Sequence, residues 1–194
     1  MSSNQIKLYG GAIEVDLPER FKDVSSIREV PDSQEVYLDK DGFASVIFDI
    51  LEHIGPSEAK DDLEALDFHF RGITDDTGDE TMVHKVSSTE PKLDKMPNTK
   101  VLSLLGSLRS KEGARPRRAN EADWTAILLA LVRLPEKGTD IVITVNVPHV
   151  PSFHPENIDI GNEQFDEFVK DGLDVMEQVM ATFDVKDWNL FVND

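Results

Sequence analysis

Two apolar runs decide the fold: DWTAILLALVRL (residues 123–134) and DIVITVNVP (residues 140–148), joined through PEKGT. Each has the length and the branched, apolar content of a strand, and the glycine-containing link between them is a hairpin turn. Upstream, VLSLLGSL (residues 101–108) is apolar enough to be a central strand beside them. Three consecutive strands with local connections pair antiparallel.

Elements of both kinds flank this block. IKLYGGAIEVDLP (residues 6–18) reads as a short strand, a turn at Gly10-Gly11, and an alternating strand ended by Pro18. In the second strand Ile13, Val15 and Leu17 face one way, Glu14 and Asp16 the other. EVYLD (residues 35–39) predicts a strand with Val36 and Leu38 on one face and Tyr37 on the other. FASVIFDILEHI (residues 43–54) reads as a strand first. From Pro56 and Ser57 the period becomes helical, with Ala59, Leu63, Leu66 and Phe70 on one stripe and Gly72 as the stop. Residues 74–100 read mostly as loop, with MVHKV as a short strand within it. NEQFDEFVKDGLDVMEQVMATF (residues 162–183) is the clearest helix, with Asn162 as its cap and Gly172 inside it. A helix interior accepts glycine at a cost of about 1 kcal/mol, which points to close packing there. DWNLFV (residues 187–192) closes the map as an edge strand. These layers define an α+β fold, and a length of 194 residues fits one domain, residues 1–194.

Composition narrows the function. There are 38 acidic against 20 basic side chains, a formal charge of −18. Such a field opposes binding to nucleic acid or an anionic membrane and steers basic partners. No apolar run approaches the roughly 18–20 residues of a membrane span, and MSSNQIKLYGG lacks the features of a secretory signal. The absence of cysteine excludes disulfides, thiolate zinc sites and a thiol nucleophile. No phosphate loop, dinucleotide fingerprint or nucleophile elbow occurs. His149 and His154 have neither metal-ligand spacing nor an acidic or thiol partner close in sequence; His53, His69 and His84 read as edge or core residues. The basic run RSKEGARPRR (residues 109–118) is read as a solvated hairpin loop. No metal or cofactor is expected.

RFKDVSSIREVPDSQEVYLDKDG (residues 20–42) differs from the rest. It carries carboxylates at Asp23, Glu29, Asp32 and Glu35 around Arg28. Phe21, Val24, Ile27 and Val30 recur every three residues, the spacing of a helical turn anchored to the core. Pro31 biases Val30 toward an extended form. Acids held in place by buried anchors lose less entropy on binding a partner.

LYGGAI (residues 8–13), LPERFKDVSSIREVPDSQEV (residues 17–36) and ALVRLPEKGTDIVITVNVP (residues 130–148) resemble the Ran guanine nucleotide release factor family, its fungal members above all. The resemblance implies a mainly antiparallel sheet of roughly six strands with helices on both faces, an α/β/α sandwich similar to the extrinsic subunit of photosystem II. It implies a protein that binds the GTPase Ran and promotes nucleotide release in support of nuclear import, which needs no catalytic chemistry of its own; a monomer, in the nucleus and cytoplasm, is expected. The Ran-binding positions it implies are Asp23, Asp32 and Glu35, with Arg28 and Glu29 alongside. The alternative is a non-GTPase adaptor in protein trafficking or a nuclear complex, using the same acidic surface.

Overall fold

The computed structural model describes residues 2–24, 30–75, 78–87, 91–109, 120–154, 158, 160–161 and 165–191. In chain order the elements are β1 (Ser3–Leu8), β2 (Ile13–Pro18), β3 (Phe21–Asp23), β4 (Gln34–Asp39), β5 (Ser45–Glu52), α1 (Asp62–Thr74), β6 (Glu80–Ser87), β7 (Lys100–Arg109), β8 (Trp124–Leu134), β9 (Thr139–His149), α2 (Glu167–Thr182) and β10 (Asp184–Val185).

The hairpin at the centre forms as its sequence requires. β8 and β9 pair antiparallel from Trp124↔His149 to Leu134↔Thr139. A single 3₁₀ turn, Pro135–Lys137, joins them, and Gly138 closes it at φ 58° in the left-handed region. β7 adds to β8, also antiparallel. The full sheet has seven strands in the order β3-β4-β5-β9-β8-β7-β6, all neighbours antiparallel. A second sheet, β1-β2-β10, has three. The expected six strands thus become seven plus three within the same α+β class.

Both faces of the large sheet are covered, which is why its central runs are apolar without alternation. Leu128, Ala130 and Val132 of β8, with Ile141, Ile143 and Val145 of β9, join the core under α2 and the small sheet. Ile127, Leu129, Leu131 and Val142 point the other way and pack with Leu66 and Phe70 of α1. β2 buries Ile13, Val15 and Leu17, as its alternation predicts.

Gly172 explains itself at the α2 interface. A Cβ built there would lie 2.4 Å from Val147 Cγ2 and 3.2 Å from Leu128 Cδ1. Gly172→Ala is therefore expected to lower the melting temperature, although alanine favours the helix by about 1 kcal/mol, because overpacking costs typically 1–3 kcal/mol. A variant that melts above the wild type in thermal denaturation would show that α2 can move aside.

Several element boundaries differ from expectation. α1 starts at Asp62 rather than Pro56, because Asp61 caps it by accepting from the N–H groups of Leu63 and Glu64, while residues 56–58 form a turn. Leu63, placed in that first turn, is 49% exposed rather than on the buried stripe, and the helix continues past Gly72 to Thr74. α2 starts at Glu167 behind Asp166; the expected cap, Asn162, lies outside the described residues. Trp188–Phe191 is a 3₁₀ turn, and the terminal edge strand is instead β10, two residues hydrogen-bonded to β2. Residues 80–87 form a full eight-residue edge strand around MVHKV. On β4, Val36 is buried and Leu38 exposed, while Tyr37 is buried from the other side.

A polar knot ties α1 to the β8–β9 hairpin. Asp140 is fully buried. Its Oδ1 lies 2.9 Å from His53 Nδ1; its Oδ2 lies 2.9 Å from His69 Nε2, 3.0 Å from the Ile54 N–H nitrogen and 2.9 Å from an Arg133 guanidinium nitrogen. Arg133 also donates to the Ile54 carbonyl at 2.7 Å, and its Nε lies 3.3 Å from Asp62. Burial alone would raise the Asp140 carboxyl; the bonds from His69, Ile54 and His53 and the charge of Arg133 outweigh it and hold the group below its ordinary value.

Candidate partner-binding site

Where it is described, the acidic segment is built on strands, β3 and β4. Phe21–Asp23 is β3, paired with Tyr37–Asp39, so Phe21 is anchored from a strand and not from the expected helical turn. Phe21 and Val24 are buried, as anchors should be. Val30 is half-buried, and Ile27, Arg28 and Glu29 lie outside the described residues. The segment resumes at Val30-Pro31 and turns into β4, with the Gln34 N–H bonded to the Pro31 carbonyl.

Asp23, Asp32 and Glu35 come together. With Lys7, Val30, Pro31 and Tyr37 they line a shallow cleft of about 320 Å³. Asp23 and Asp32 are exposed and Glu35 is half-buried. The three differ in how firmly they are held. Glu35 Oε1 accepts from the backbone N–H of Tyr9 at 2.7 Å, and Oε2 accepts from the Tyr37 hydroxyl at 3.3 Å. Burial, and then the Glu35 and Asp23 charges, push the Tyr37 hydroxyl well above its ordinary value, so it remains a donor at neutral pH.

Tyr9 is the residue that sequence reasoning missed. It begins a turn in which Tyr9, Gly10 and Gly11 all have positive φ, at 50°, 68° and 94°. Tyr9 is the only residue other than glycine with positive φ among the described residues. The left-handed conformation, which costs a residue with a side chain roughly 1–2 kcal/mol, aims its N–H at Glu35. Its hydroxyl donates to the Phe48 carbonyl at 2.8 Å and lies 3.2 Å from the Ser33 carbonyl oxygen. Burial, then Asp49 and Glu35, raise that hydroxyl far above its ordinary range. LYGG and VPDSQEV are thus one physical unit: the first motif immobilises the carboxylate of the second.

Other candidate chemistry resolves differently. His53 and His69 belong to the Asp140 knot. His84 sits 2.7 Å from Ser107 Oγ. His149 stacks on Trp124 and bonds Asp123 at 2.5 Å, and His154 stacks on Phe168 at 4.1 Å. Among the described residues no group of three or more His, Cys, Asp or Glu side chains could hold a metal ion, and no helix is long and apolar enough to cross a membrane. Residues 110–118 of the basic run lie outside the described residues.

A mixed α+β fold thus carries a shallow cleft rimmed by three carboxylates, one of them tethered, an arrangement suited to a basic partner surface. Residues 6–148 match the family described as Mog1, Ran-interacting Mog1 protein. The chain belongs to that family. It is 31% identical to the nuclear import protein MOG1 of Saccharomyces cerevisiae over 202 residues, covering 98% of this chain and 86% of that protein. It is 29% identical to a probable Ran guanine nucleotide release factor of Dictyostelium discoideum, covering 96% of this chain and 95% of that one. Among solved structures, the Ran-binding protein Mog1p of Saccharomyces cerevisiae superposes with a TM-score of 0.75 at 28% identity, over 99% of this chain and 100% of that chain. Cyanobacterial PsbP from Synechocystis shares the fold alone, with a TM-score of 0.56 at 11% identity over 95% and 92% of the two chains.

Proposed function

We propose that this protein binds the small GTPase Ran through the cleft rimmed by Asp23, Asp32 and Glu35, with Arg28 and Glu29, which lie outside the described residues, as further contacts, and promotes release of Ran's guanine nucleotide in support of nuclear import. The observation that carries the reading is the tethering of Glu35 by Tyr9 and Tyr37, in a chain that belongs to the Ran-interacting Mog1 family. A carboxylate held by two donors is organised before the partner arrives, so little ordering cost falls on association.

Release needs no catalytic chemistry in this chain. If the protein binds nucleotide-free Ran more tightly than loaded Ran, linkage requires that nucleotide bind more weakly in the complex, by the same factor. The rim carboxylates engage basic groups of Ran near its nucleotide site and compete for the cations that hold phosphate. Residues 1–194 act as a single domain and as a monomer, without a cofactor, in the nucleus and cytoplasm.

The direct test is release of a fluorescent guanine nucleotide from purified Ran on addition of this protein. Release that is accelerated in proportion to protein concentration is the expected result; release at the intrinsic rate removes the proposal. The −18 charge adds an expectation. Raising ionic strength from 0.01 M to 0.15 M shortens the screening length from about 30 Å to about 8 Å, so the association rate in stopped flow should fall by tenfold or more. A rate independent of salt would remove steering from the mechanism.

A further inference from the structure

A second cleft, on the α1 side of the large sheet, carries the marks of a small-molecule site. Its volume is about 680 Å³, within the roughly 300–1,000 Å³ range of ligand pockets. α1 covers β7 and β8 but leaves the same face of β5 and β9 partly open. The floor is therefore the alternating set Ile47, Asp49 and Leu51 of β5 and Val142 and Thr144 of β9, and the wall is the Phe68–Ile73 flank of α1. Leu51, Phe68 and Ile73 remain exposed on this cleft instead of being buried.

Two polar groups on this floor lack the partners their positions call for. The Thr144 hydroxyl belongs to a residue only 1% exposed and has no hydrogen-bond partner, a rare state for a buried polar group. The half-buried Asp49 carboxylate accepts one bond, from Gln34 Nε2 at 2.7 Å, and among the described residues it has no salt bridge to a lysine or arginine. Burial pushes its carboxyl up, offset in part by Gln34 and His69. In the sheet register Asp49 pairs with Val142 and Ile47 with Thr144. The carboxylate and the hydroxyl are therefore diagonal neighbours on one face, close enough for one multivalent donor to reach both.

We infer that this cleft binds a small molecule with a protonated amine on a flat apolar body. The ammonium donates to Asp49 and Thr144, and the body lies between Ile47, Leu51, Phe68 and Ile73. The −18 charge of the chain and Glu52 at the rim select against an anion of the same shape. The site shares only Gln34, the donor to Asp49, with the cleft that Asp32 and Glu35 rim, and neither of those carboxylates lines it; the inference does not rest on the Ran reading.

Titration of the ¹⁵N-labelled full chain by NMR tests it with two probes of one shape and opposite charge. Tryptamine is expected to shift amides of β5, β9 and α1 saturably, with Kd on the order of 1 mM; indole-3-propionate is expected to leave them unmoved. Asp49→Asn, which preserves size and an acceptor for Gln34, should weaken tryptamine at least tenfold. Thr144→Val should weaken it several-fold while melting no lower than the wild type, because it deletes an unpartnered hydroxyl at constant shape. Equal binding of the two probes, or shifts spread over the acidic surface and unchanged in Asp49→Asn, would overturn the site.

Discussion

The double variant Asp32→Ala/Glu35→Ala is expected to lose Ran binding by at least about tenfold, or 1.4 kcal/mol, and to lose stimulated nucleotide release with it. Truncating one member of a hydrogen-bonded charge pair at an interface costs on the order of 2–5 kcal/mol, and two such acids share this cleft. The single variants divide contact from scaffold. Asp32 is exposed, so Asp32→Ala should leave thermal stability within about 0.5 kcal/mol while weakening binding. Glu35→Ala strips the partner from the Tyr9 N–H and the Tyr37 hydroxyl, so it should also destabilise the fold by about 1–3 kcal/mol. Glu35→Gln keeps an acceptor for Tyr9 and should recover the fold but not the affinity. Binding by calorimetry and release by fluorescence give the two readouts; unchanged values in the double variant would falsify the assignment of the rim.

Asp140→Asn is expected to produce the largest loss of stability. The substitution preserves shape but removes the charge and turns one accepting oxygen into an amide nitrogen, either Oδ1 facing His53 or Oδ2 facing Ile54, His69 and Arg133. It leaves the buried Arg133 guanidinium short of a counter-charge, a change that costs about 3–5 kcal/mol, or on the order of 10 °C in melting temperature for a chain of this length. The pH dependence separates charge from packing. The folded-state carboxyl of Asp140 is held below its ordinary value, so its contribution is fully present above the unfolded carboxylate pKa, near 3.9. It is lost as pH falls through the lower folded value. Wild type and variant should therefore differ most at neutral pH and converge below about pH 4. A constant difference across that range in chemical denaturation would show that the knot acts through shape.

How much of this was legible in the residues depends on the range of the interaction. β7, β8 and β9 were readable because a strand declares itself within ten residues, and the PEKGT turn supplied the hairpin. The buried glycine of α2 was readable for the same local reason. The start of α1 was misplaced because Pro56-Ser57 and Asp61 both carry start signals, and only the real helix shows that Asp61 satisfies Leu63 and Glu64. The site was half legible. Its acids stood out as a local cluster, but the donor that immobilises Glu35 lies 26 residues upstream. No periodicity marks Tyr9 as that donor, although two glycines after an aromatic residue are a clue to a left-handed turn. Asp140 looked like a charged strand end, since its histidine partners lie 71 and 87 residues away.

The small sheet has a consequence for biosynthesis. β2 is flanked by β1, made first, and by β10, near the end of the described residues. The Tyr9 turn that steadies Glu35 hangs between β1 and β2. A nascent chain that has reached only β9 holds all seven strands of the large sheet, yet it lacks Phe183 and Val185, which join the core that Leu8 and Ile13 enter on either side of that turn. The small sheet therefore closes around the Tyr9 turn only after α2 and β10 have been made. Chains released before β10 would expose apolar surface of β2 and the core that Phe183 and Val185 cover.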